Sequence, residues 1–247
     1  MSRTELLLGA EALTALTQRH VLVVGLGGVG GICAEMIART GVGEMTLVDA
    51  DVVDISNTNR QIVSLHSTVG QRKADVLAAR LSDINPALKL NLIHHFIDED
   101  NVAAFFDQNR FDAVADCIDT LSAKVALLEQ CLLRKIPVVS SMGAGGKVDP
   151  SQVSIADISK TTECTLAKYV RKRLRAKGIR KGFKAVYSTE IIDPERVVVT
   201  LKALPKKSII GTISYLPALF GCHVAGALIQ TLLTQQREAI SESPSAD

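Results

Sequence analysis

The sequence has 247 residues, of which 47% are apolar and 22% are charged, and its formal net charge is +2. This balance is ordinary for a globular protein and excludes a disordered chain or a fibre. The start of the chain lacks the basic, apolar and small-residue pattern of a signal sequence, and the five cysteines have no C-x-x-C spacing. We therefore expect a cytoplasmic protein with neither a disulfide framework nor a bound zinc ion.

The first elements along the chain predict a strand–helix–strand unit. Leucines at helical spacing indicate an amphipathic helix over 5–18, and the apolar run over 21–24 indicates a buried strand. A glycine-rich loop and a helix separate this strand from a second one over 45–48. The glycines let the loop turn tightly and approach a phosphate at the start of the helix; they are Gly25, Gly27, Gly28 and Gly30. Such loops occur in dehydrogenases, flavoproteins, methyltransferases and adenylating enzymes, so the residues downstream decide among them.

Helices and strands alternate through the next part of the chain, which is typical of a doubly wound sheet. Helices are expected over 70–84, 100–108 and 122–134, and strands near 89–94, 112–117 and 137–141. After residue 143 the pattern changes to β-like runs over 152–158, 184–189 and 196–201, followed by an apolar helix over 216–234. The predicted fold is an α/β, Rossmann-like doubly wound sheet, mainly parallel and extended by antiparallel strands in the C-terminal half. The uncharged stretch over 208–236 is long enough to cross a bilayer, but its Pro, Gly and polar residues favour a buried helix, so no membrane contact is expected.

Polar residues cluster where the predicted strands end, which is the edge at which open α/β sheets bind ligands. Asp49 ends the second strand, about twenty residues beyond the glycine loop, where a carboxylate can accept hydrogen bonds from ribose hydroxyls. Arg60 can hold phosphate oxygens with two hydrogen bonds and Lys73 adds a point charge, a pairing that suits a triphosphate better than a nicotinamide. The loop lacks the Lys-Ser/Thr pair of a P-loop. Asp119 is therefore expected to hold Mg²⁺, and it can also cap the helix that starts near Thr120.

Residues 21–147 resemble the ATP-binding half of the ubiquitin-activating-enzyme superfamily, which includes the molybdopterin- and thiamin-biosynthesis adenylyltransferases. The resemblance rests on the G-x-G-G-x-G loop, Asp49-x-Asp51, Ser56-Asn57-x-Asn59-Arg60-Gln61, Lys73 and Asp116-Cys117-x-Asp119. It implies that Asp49 holds the ribose, that Asn57, Arg60 and Lys73 hold the phosphates, and that Asp119 holds the metal–triphosphate. The implied nucleotide site comprises Gly25, Gly27, Gly28, Gly30, Asp49, Asp51, Ser56, Asn57, Asn59, Arg60, Lys73, Asp119 and Thr120. Arg3 matches an N-terminal arginine that reaches into the site of the other subunit, which implies a homodimer with Arg3, Arg60, Lys73 and Asp119 as catalytic residues.

Three segments of the C-terminal half, 140–150, 157–161 and 186–190, extend the resemblance across nearly the whole chain to the tRNA threonylcarbamoyladenosine dehydratases. This resemblance implies that ATP and Mg²⁺ are used to adenylate the threonyl carboxylate of a modified adenosine beside the tRNA anticodon, and that ring closure then expels AMP. It also implies one ThiF-like ATP-binding domain over 1–247, with a nucleotide-binding half over 1–148, a substrate-binding and dimer half over 149–236, and a flexible tail over 237–247.

A basic segment over 168–184 contains nine positive charges and no acidic residue, although the whole protein has a net charge of only +2. Such a segment is ordinarily a solvated helix face, but its length and its lack of acids favour contacts with an RNA backbone. The candidate RNA-binding residues are Lys168, Arg171, Lys172, Arg173, Arg175, Lys177, Arg180 and Lys181.

Three other functions stay open at this point. An adenylyltransferase that activates the C-terminal glycine of a ubiquitin-like sulfur carrier would share the nucleotide site, but such enzymes generally hold zinc with two C-x-x-C pairs. An NAD-dependent oxidoreductase would not need Asn57, Arg60 and Lys73, and a non-catalytic relative would be expected to have lost Arg60, Lys73 or Asp119. A catalytic role for Cys164 or Cys222, a monovalent cation, and a sulfur-transfer or electron-transfer protein partner also stay open.

Overall fold

The computed structural model describes residues 1–193, 197–199 and 208–242. The helices are α1 (Ser2–Leu8), α2 (Ala10–Thr17), α3 (Gly30–Thr40), α4 (Lys73–Ile84), α5 (Val102–Gln108), α6 (Leu121–Leu133), α7 (Thr165–Ala176) and α8 (Tyr215–Glu242). The strands are β1 (His20–Val24), β2 (Glu44–Val48), β3 (Lys89–Ile93), β4 (Ala113–Asp116), β5 (Val138–Ser141), β6 (Val153–Asp157), β7 (Lys184–Ser188), β8 (Val197–Val199) and β9 (Ser208–Ile210).

Seven strands form one sheet in the order β3-β2-β1-β4-β5-β7-β6. All neighbours are parallel except β6, which pairs antiparallel with β7 at one edge, while β8 and β9 form a separate antiparallel pair. The predicted Rossmann-like fold class, mainly parallel with antiparallel strands in the C-terminal half, is confirmed. The chain runs outward from β1 to β3 and then returns to place β4 on the other side of β1. This reversal is a topological switch point, and ligands bind at the carboxyl ends of the two strands that flank such a point.

Helices cover both faces of the sheet and divide the core into two layers. Val21 and Val23 of β1 pack with α2, α3, α4 and α8, whereas Leu22 and Val24 pack with α5, α6 and α7. Successive side chains of a strand point to opposite faces, so a fully apolar strand is what a sheet covered on both sides requires. The run over 21–24 is therefore apolar throughout because both faces of β1 are buried.

The C-terminal helix α8 packs into this core. Its segment Tyr215–Glu238 is long and apolar enough to cross a membrane by length and composition, and 56% of its most apolar window is buried inside the fold. Apolar residues at every fourth position are almost completely buried against α3 and the sheet; they are Leu216, Phe220, Val224, Leu228 and Leu232. The buried faces of α8 thus close one layer of the core.

Several predicted boundaries differ from the structure. The helix expected over 5–18 is two helices, because Gly9 between them adopts a left-handed φ of 89° that interrupts the helical turn. The helix expected over 70–84 begins only at Lys73. Residues 237–242, assigned to a flexible tail, continue helix α8, while residues 243–247 lie outside the described residues. Of the run expected over 196–201, only 197–199 are described, and they form β8.

We expect the replacement of glycine by alanine to have opposite effects on the free energy of unfolding at Gly30 and at Gly226. A Cβ on Gly30 would lie 1.7 Å from the carbonyl oxygen of Gly25, so Gly30→Ala forces helix α3 away from the loop, and we expect it to lower the free energy of unfolding by about 1–3 kcal/mol. A Cβ on Gly226, within helix α8, would meet no atom within 4 Å, so Gly226→Ala should raise it by about 0.5–1 kcal/mol. Urea denaturation curves of the two variants check the signs, and a neutral Gly30→Ala would contradict the close packing.

Candidate functional site

Loops from three neighbouring strands meet at the carboxyl edge of the sheet. The glycine loop follows β1, Asp49 follows β2, and Cys117 continues from β4. The loop touches the β4 extension closely, because a Cβ on Gly25 would lie 2.9 Å from the carbonyl oxygen of Cys117, and Gly25 has a left-handed φ of 85°. Helix α3 begins directly after the loop, so the N–H groups at its start lie at the same edge. The structure thus brings together the loop and the polar strand ends that the sequence singled out.

The carboxylate of Asp49 anchors the glycine loop. One of its oxygens accepts a hydrogen bond from the N–H of Leu26 at 2.6 Å, and the other accepts one from the N–H of Asp51 at 2.8 Å. Burial raises the pKa of Asp49, while these two N–H groups and the positive charge of Lys73 oppose that rise. Each carboxylate oxygen keeps a further lone pair, so the same group can still accept from a ribose hydroxyl. Sequence reasoning assigned only the ribose contact and missed the anchoring of the loop.

Lys73 is held in place by Asp51. Its Nζ lies 2.7 Å from Asp51 Oδ2, and its backbone N–H donates to the carbonyl of Asp51 at 3.1 Å. The side chain of Lys73 is only 7% exposed, whereas that of Asp51 is 54% exposed. An ammonium has three donor hydrogens, so Lys73 can bond Asp51 and a phosphate oxygen together. Asp51 therefore positions the charge that the sequence assigned to phosphate.

Arg60 is oriented by the short segment that precedes it. Its Nη1 donates to the carbonyl of Ser56 at 3.1 Å and to Asn59 Oδ1 at 2.9 Å. Asn59 in turn donates from Nδ2 to the carbonyl of Thr212 at 2.9 Å. Because an arginine carries five N–H donors, most of those on Arg60 remain available for phosphate oxygens. The contact with Thr212 links this candidate phosphate site to the C-terminal half of the chain.

Ser56 and Asn57 bond mainly within their own turn. Residues 55–57 form a 3₁₀ turn capped by Asp54, whose Oδ1 accepts from the N–H and the hydroxyl of Ser56. These hydrogen bonds lower the pKa of Asp54. Asn57 Oδ1 accepts from the N–H of Asp54 at 3.3 Å, which completes a capping box. Both residues therefore build the turn that presents Arg60, and their contact with phosphate stays a prediction.

Gln61 is a polar group that sequence reasoning quoted but gave no role. It is 8% exposed, and its amide nitrogen would lie 3.6 Å from a Cβ on Gly27. Its Oε1 is buried and has no hydrogen-bond partner among the residues that the structure describes. A buried acceptor without a donor costs about 1–3 kcal/mol, so its place beside the glycine loop fits a site that a polar ligand completes. The signal in the sequence was an uncharged amide directly after Arg60.

Asp119 is exposed at the carboxyl edge, next to Thr120. The hydroxyl of Thr120 lies 3.5 Å from Asp119 Oδ1. Thr120 occupies the N-cap position of α6 and makes no side-chain cap bond, so Asp119 does not take the N-cap position considered for it. Its exposed carboxylate is compatible with Mg²⁺, which proteins usually hold with one or two carboxylates while substrate phosphates and water complete the coordination.

A fully buried ion pair lies at the carboxyl end of β4. Lys124 Nζ lies 2.6 Å from Asp116 Oδ2, and both side chains are completely buried. The hydroxyl of Ser140 donates to the same oxygen at 2.6 Å, and the N–H of Ile118 donates to Asp116 Oδ1 at 3.1 Å. The last bond fixes the backbone that leads to Asp119. Sequence reasoning missed Lys124, because a lysine on an amphipathic helix ordinarily faces solvent.

The basic residues of α7 divide into two groups. Arg171 donates to the carbonyl and the hydroxyl of Thr161, and Lys177 pairs with Glu129 at 2.7 Å, so these two make contacts within the protein. The other candidates are exposed, both along α7 and directly after it; they are Lys168, Lys172, Arg173, Arg175, Arg180 and Lys181. The set of exposed cations that form no ion pair with the described residues is therefore smaller than the sequence indicated.

Arg3 lies apart from the other candidate residues of its own chain. It belongs to α1, and Met1 beside it packs close to Gly41, which ends α3. The glycine loop lies at the opposite end of α3, which is roughly 16 Å long at 1.5 Å per residue. Within one chain, Arg3 is not brought to the nucleotide site.

The part of the chain that the structure describes contains no group of three or more His, Cys, Asp or Glu side chains that could hold a metal ion together.

The ThiF family model matches residues 1–244. The Bacillus subtilis tRNA threonylcarbamoyladenosine dehydratase is 48% identical over 189 residues, which cover 76% of this chain and 74% of that protein. The Escherichia coli molybdopterin-synthase adenylyltransferase is 36% identical over 126 residues, which cover 51% of this chain and 50% of that one.

The solved structures agree with these relatives. The crystal structure of Escherichia coli tRNA N6-threonylcarbamoyladenosine dehydratase in complex with ATP superposes with a TM-score of 0.87 and is 35% identical. The match covers 96% of this chain and 95% of that one, and a second structure of the same enzyme holds AMP. The chain therefore belongs to the ThiF family, and within that family it groups with the tRNA threonylcarbamoyladenosine dehydratases.

Proposed function

We propose that this protein uses ATP to cyclise N6-threonylcarbamoyladenosine in the tRNA anticodon loop, through an acyl-adenylate. The observation that carries the proposal is the extent of the similarity. It runs through both halves of the chain for the dehydratases but through about half of it for the molybdopterin-synthase adenylyltransferase. The identity is also higher, at 48% for the Bacillus subtilis dehydratase against 36% for the Escherichia coli adenylyltransferase. Activation of a sulfur-carrier protein therefore has less support from the comparisons.

The site geometry supports adenylation as the first step. An oxygen of the substrate carboxylate attacks the α-phosphorus of ATP, and pyrophosphate leaves from the opposite side. Lys73, Arg60 and the N–H groups at the start of α3 would stabilise the charge on the phosphoryl oxygens and on pyrophosphate. Asp49 accepts from the ribose and keeps the glycine loop in place. No general base is needed, because the attacking carboxylate is already an anion at neutral pH.

Ring closure is the second step. A nucleophilic atom of the same side chain attacks the activated carbonyl carbon, and AMP leaves with the former carboxylate oxygen. The attacking atom and the carbonyl belong to one group, so the step benefits from a high effective concentration. The net change in the nucleoside is the loss of one water. The protein has to exclude bulk water, which would otherwise hydrolyse the adenylate.

The proposal includes Mg²⁺, a cytoplasmic location and a homodimer. Mg²⁺, when bound, would neutralise phosphate charge, and Asp119 is the residue that would hold it.

Helix α1 has no buried residue, and Leu6 is 88% exposed, with Leu7 exposed beside it. In the proposed dimer a second copy of the chain would cover this helix, and its Arg3 would act in the site that the first copy's own Arg3 does not reach. Sedimentation equilibrium checks this: a wild-type monomer at micromolar concentration would contradict the dimer.

The division of labour along the chain also belongs to the proposal. Residues 1–148 would bind the nucleotide, and residues 149–236 would bind the tRNA through the exposed cations of α7 and contribute to the dimer. A sulfur-transfer or electron-transfer protein partner stays a prediction.

The decisive test is the mass of the nucleoside product. The protein is incubated with ATP, Mg²⁺ and tRNA that bears threonylcarbamoyladenosine, and the digested nucleosides are weighed by mass spectrometry. We expect the modified nucleoside to lose one water, with one AMP released for each conversion and none with unmodified tRNA. An unchanged nucleoside mass, together with ATP–pyrophosphate exchange driven by a sulfur-carrier protein, would replace this function with the alternative.

A further inference from the structure

A shallow depression lies between the start of α6 and the exposed face of α7, outside the nucleotide site. Its volume is about 440 Å³, and Tyr169, Lys172, Arg173, Ala176 and Leu121 line it. Tyr169 is 50% exposed, although an aromatic side chain of this size is usually largely buried. Packing in the core therefore does not account for the presence of a tyrosine at position 169.

The helix period places these residues on one surface. Ala167, Val170 and Leu174 are buried against the core, which turns the opposite side of α7 to solvent. Tyr169, Lys172 and Arg173 are spaced by three and four residues, so they are neighbours on that exposed side. An aromatic ring and two cations thus lie one helical turn apart on the exposed side of α7.

The cations of this surface have no acidic neighbour on their own segment. Residues 164–184 contain no acidic residue, and neither Lys172 nor Arg173 forms an ion pair with any of the described residues. Exposed cations next to an aromatic ring match an unpaired nucleotide, because a base can stack on the ring while its phosphates lie on the cations. An acidic peptide or a lipid headgroup would satisfy the cations but would leave the ring without a planar partner.

The depression also lies next to the candidate nucleotide site. Leu121 is the first residue of α6 and directly follows Asp119 and Thr120 at the carboxyl edge of the sheet. A nucleotide in the depression would therefore be close to the place where the carboxylate has to reach ATP. We propose that Tyr169 is a stacking platform for an unpaired base of the tRNA anticodon loop, with Lys172 and Arg173 holding the adjacent phosphates. This inference rests on the proposed function, because that function supplies the RNA.

A fluorescent reporter tests stacking directly, because the sequence contains no tryptophan. The Tyr169→Trp variant is titrated with a modified anticodon stem-loop RNA. The Phe96→Trp variant is its control, since Phe96 is an exposed aromatic residue that follows β3, the outermost strand on the side of the sheet away from β6 and β7. We expect saturable quenching at position 169 and none at position 96. Inorganic polyphosphate, which carries the charge without bases, should not quench either variant. Quenching at position 169 by polyphosphate as strong as that by RNA would overturn base stacking.

Affinity measurements separate stacking from charge. Tyr169→Ala should weaken binding of the stem-loop by about 5- to 150-fold at every salt concentration, whereas Tyr169→Phe, which keeps the ring, should bind within about twofold of the wild type. Lys172→Ala should instead reduce the slope of log affinity against log salt by about one. Thermal melting confirms that each variant is folded.

The outcomes also distinguish this proposal from the one on which it rests. If the wild type binds the RNA and Tyr169→Ala binds it equally well, the stacking platform is overturned and the proposed function stands. If the wild type neither binds nor dehydrates the modified RNA, both are overturned. Parallel salt dependence for wild type and Tyr169→Ala, with the expected loss of affinity, supports the platform.

Discussion

Replacing Lys73 with methionine should lower the rate of adenylate formation by about 100- to 1000-fold, the usual effect of removing one preorganised group that stabilises transition-state charge. Methionine keeps the apolar stem that Lys73 buries and removes only the ammonium. Asp51, which loses its partner, is half exposed and becomes solvated, so the fold should be nearly as stable as before. Pyrophosphate release in the presence of modified tRNA measures the rate, and urea denaturation measures the stability.

Lys89 provides a matched control for this substitution. It also pairs with a carboxylate, with Nζ 2.9 Å from Glu44 Oε1, but this pair lies where β2 and β3 begin, at the opposite edge of the sheet. Lys89→Met should leave pyrophosphate release unchanged. If both lysine variants slow the reaction equally, the loss reflects net charge and not a phosphate contact at Lys73.

Replacing Lys124 with methionine should lower the free energy of unfolding by about 3–5 kcal/mol, because it leaves the carboxylate of Asp116 charged, buried and without its partner. Ser140 and the N–H of Ile118 still donate to Asp116, but neither supplies a compensating charge. A loss of this size is a large fraction of the stability of most domains. The midpoint of urea denaturation, with an unchanged slope, would establish it.

A double variant tests the cause of this loss. In Lys124→Met with Asp116→Asn, both charges are absent, while the amide oxygen can still accept from the N–H of Ile118 and the amide NH2 can donate to the hydroxyl oxygen of Ser140. Buried ion pairs can often be replaced together at little cost, so we expect the double variant to regain more than half of the stability lost by Lys124→Met. A double variant less stable than the single one would mean that packing of the lysine stem, and not the unpaired charge, causes the loss.

The parts of the fold that depend on local pattern could be predicted from the sequence. The apolar run before the glycine loop becomes β1, and Asp49 lies at the end of β2 beside that loop. Both follow from short-range rules, because strand burial and tight turns are determined by neighbouring residues. The order of the strands could not be predicted in this way. β7 lies between β5 and β6 in the sheet, and no local sequence pattern indicates which strand becomes the edge strand.

The errors at individual residues have physical causes. Leucine spacing continues through Gly9, so the periodic pattern hides a break that depends on the backbone angle of one glycine. Lys124 was not singled out, because Asp116, its partner, lies eight positions earlier on another element and meets it only in the folded core. Arg171 contacts Thr161 for a similar reason. Charge in a sequence shows where a cation is, but only packing shows what neutralises it.

The position of α8 constrains how the protein can be made. The last helix fills the same core layer as β1 and α3, and it approaches α3 so closely that a Cβ on Gly221 would lie 2.5 Å from the carbonyl oxygen of Val29. At a synthesis rate of about 5–20 residues per second, roughly 10–40 s separate the production of β1 from that of α8. During this interval the nascent chain exposes the apolar surface of β1 and α3 that α8 later covers. Exposed apolar surface of this kind favours aggregation, so we expect the partly synthesised chain to be more prone to aggregate than the folded protein.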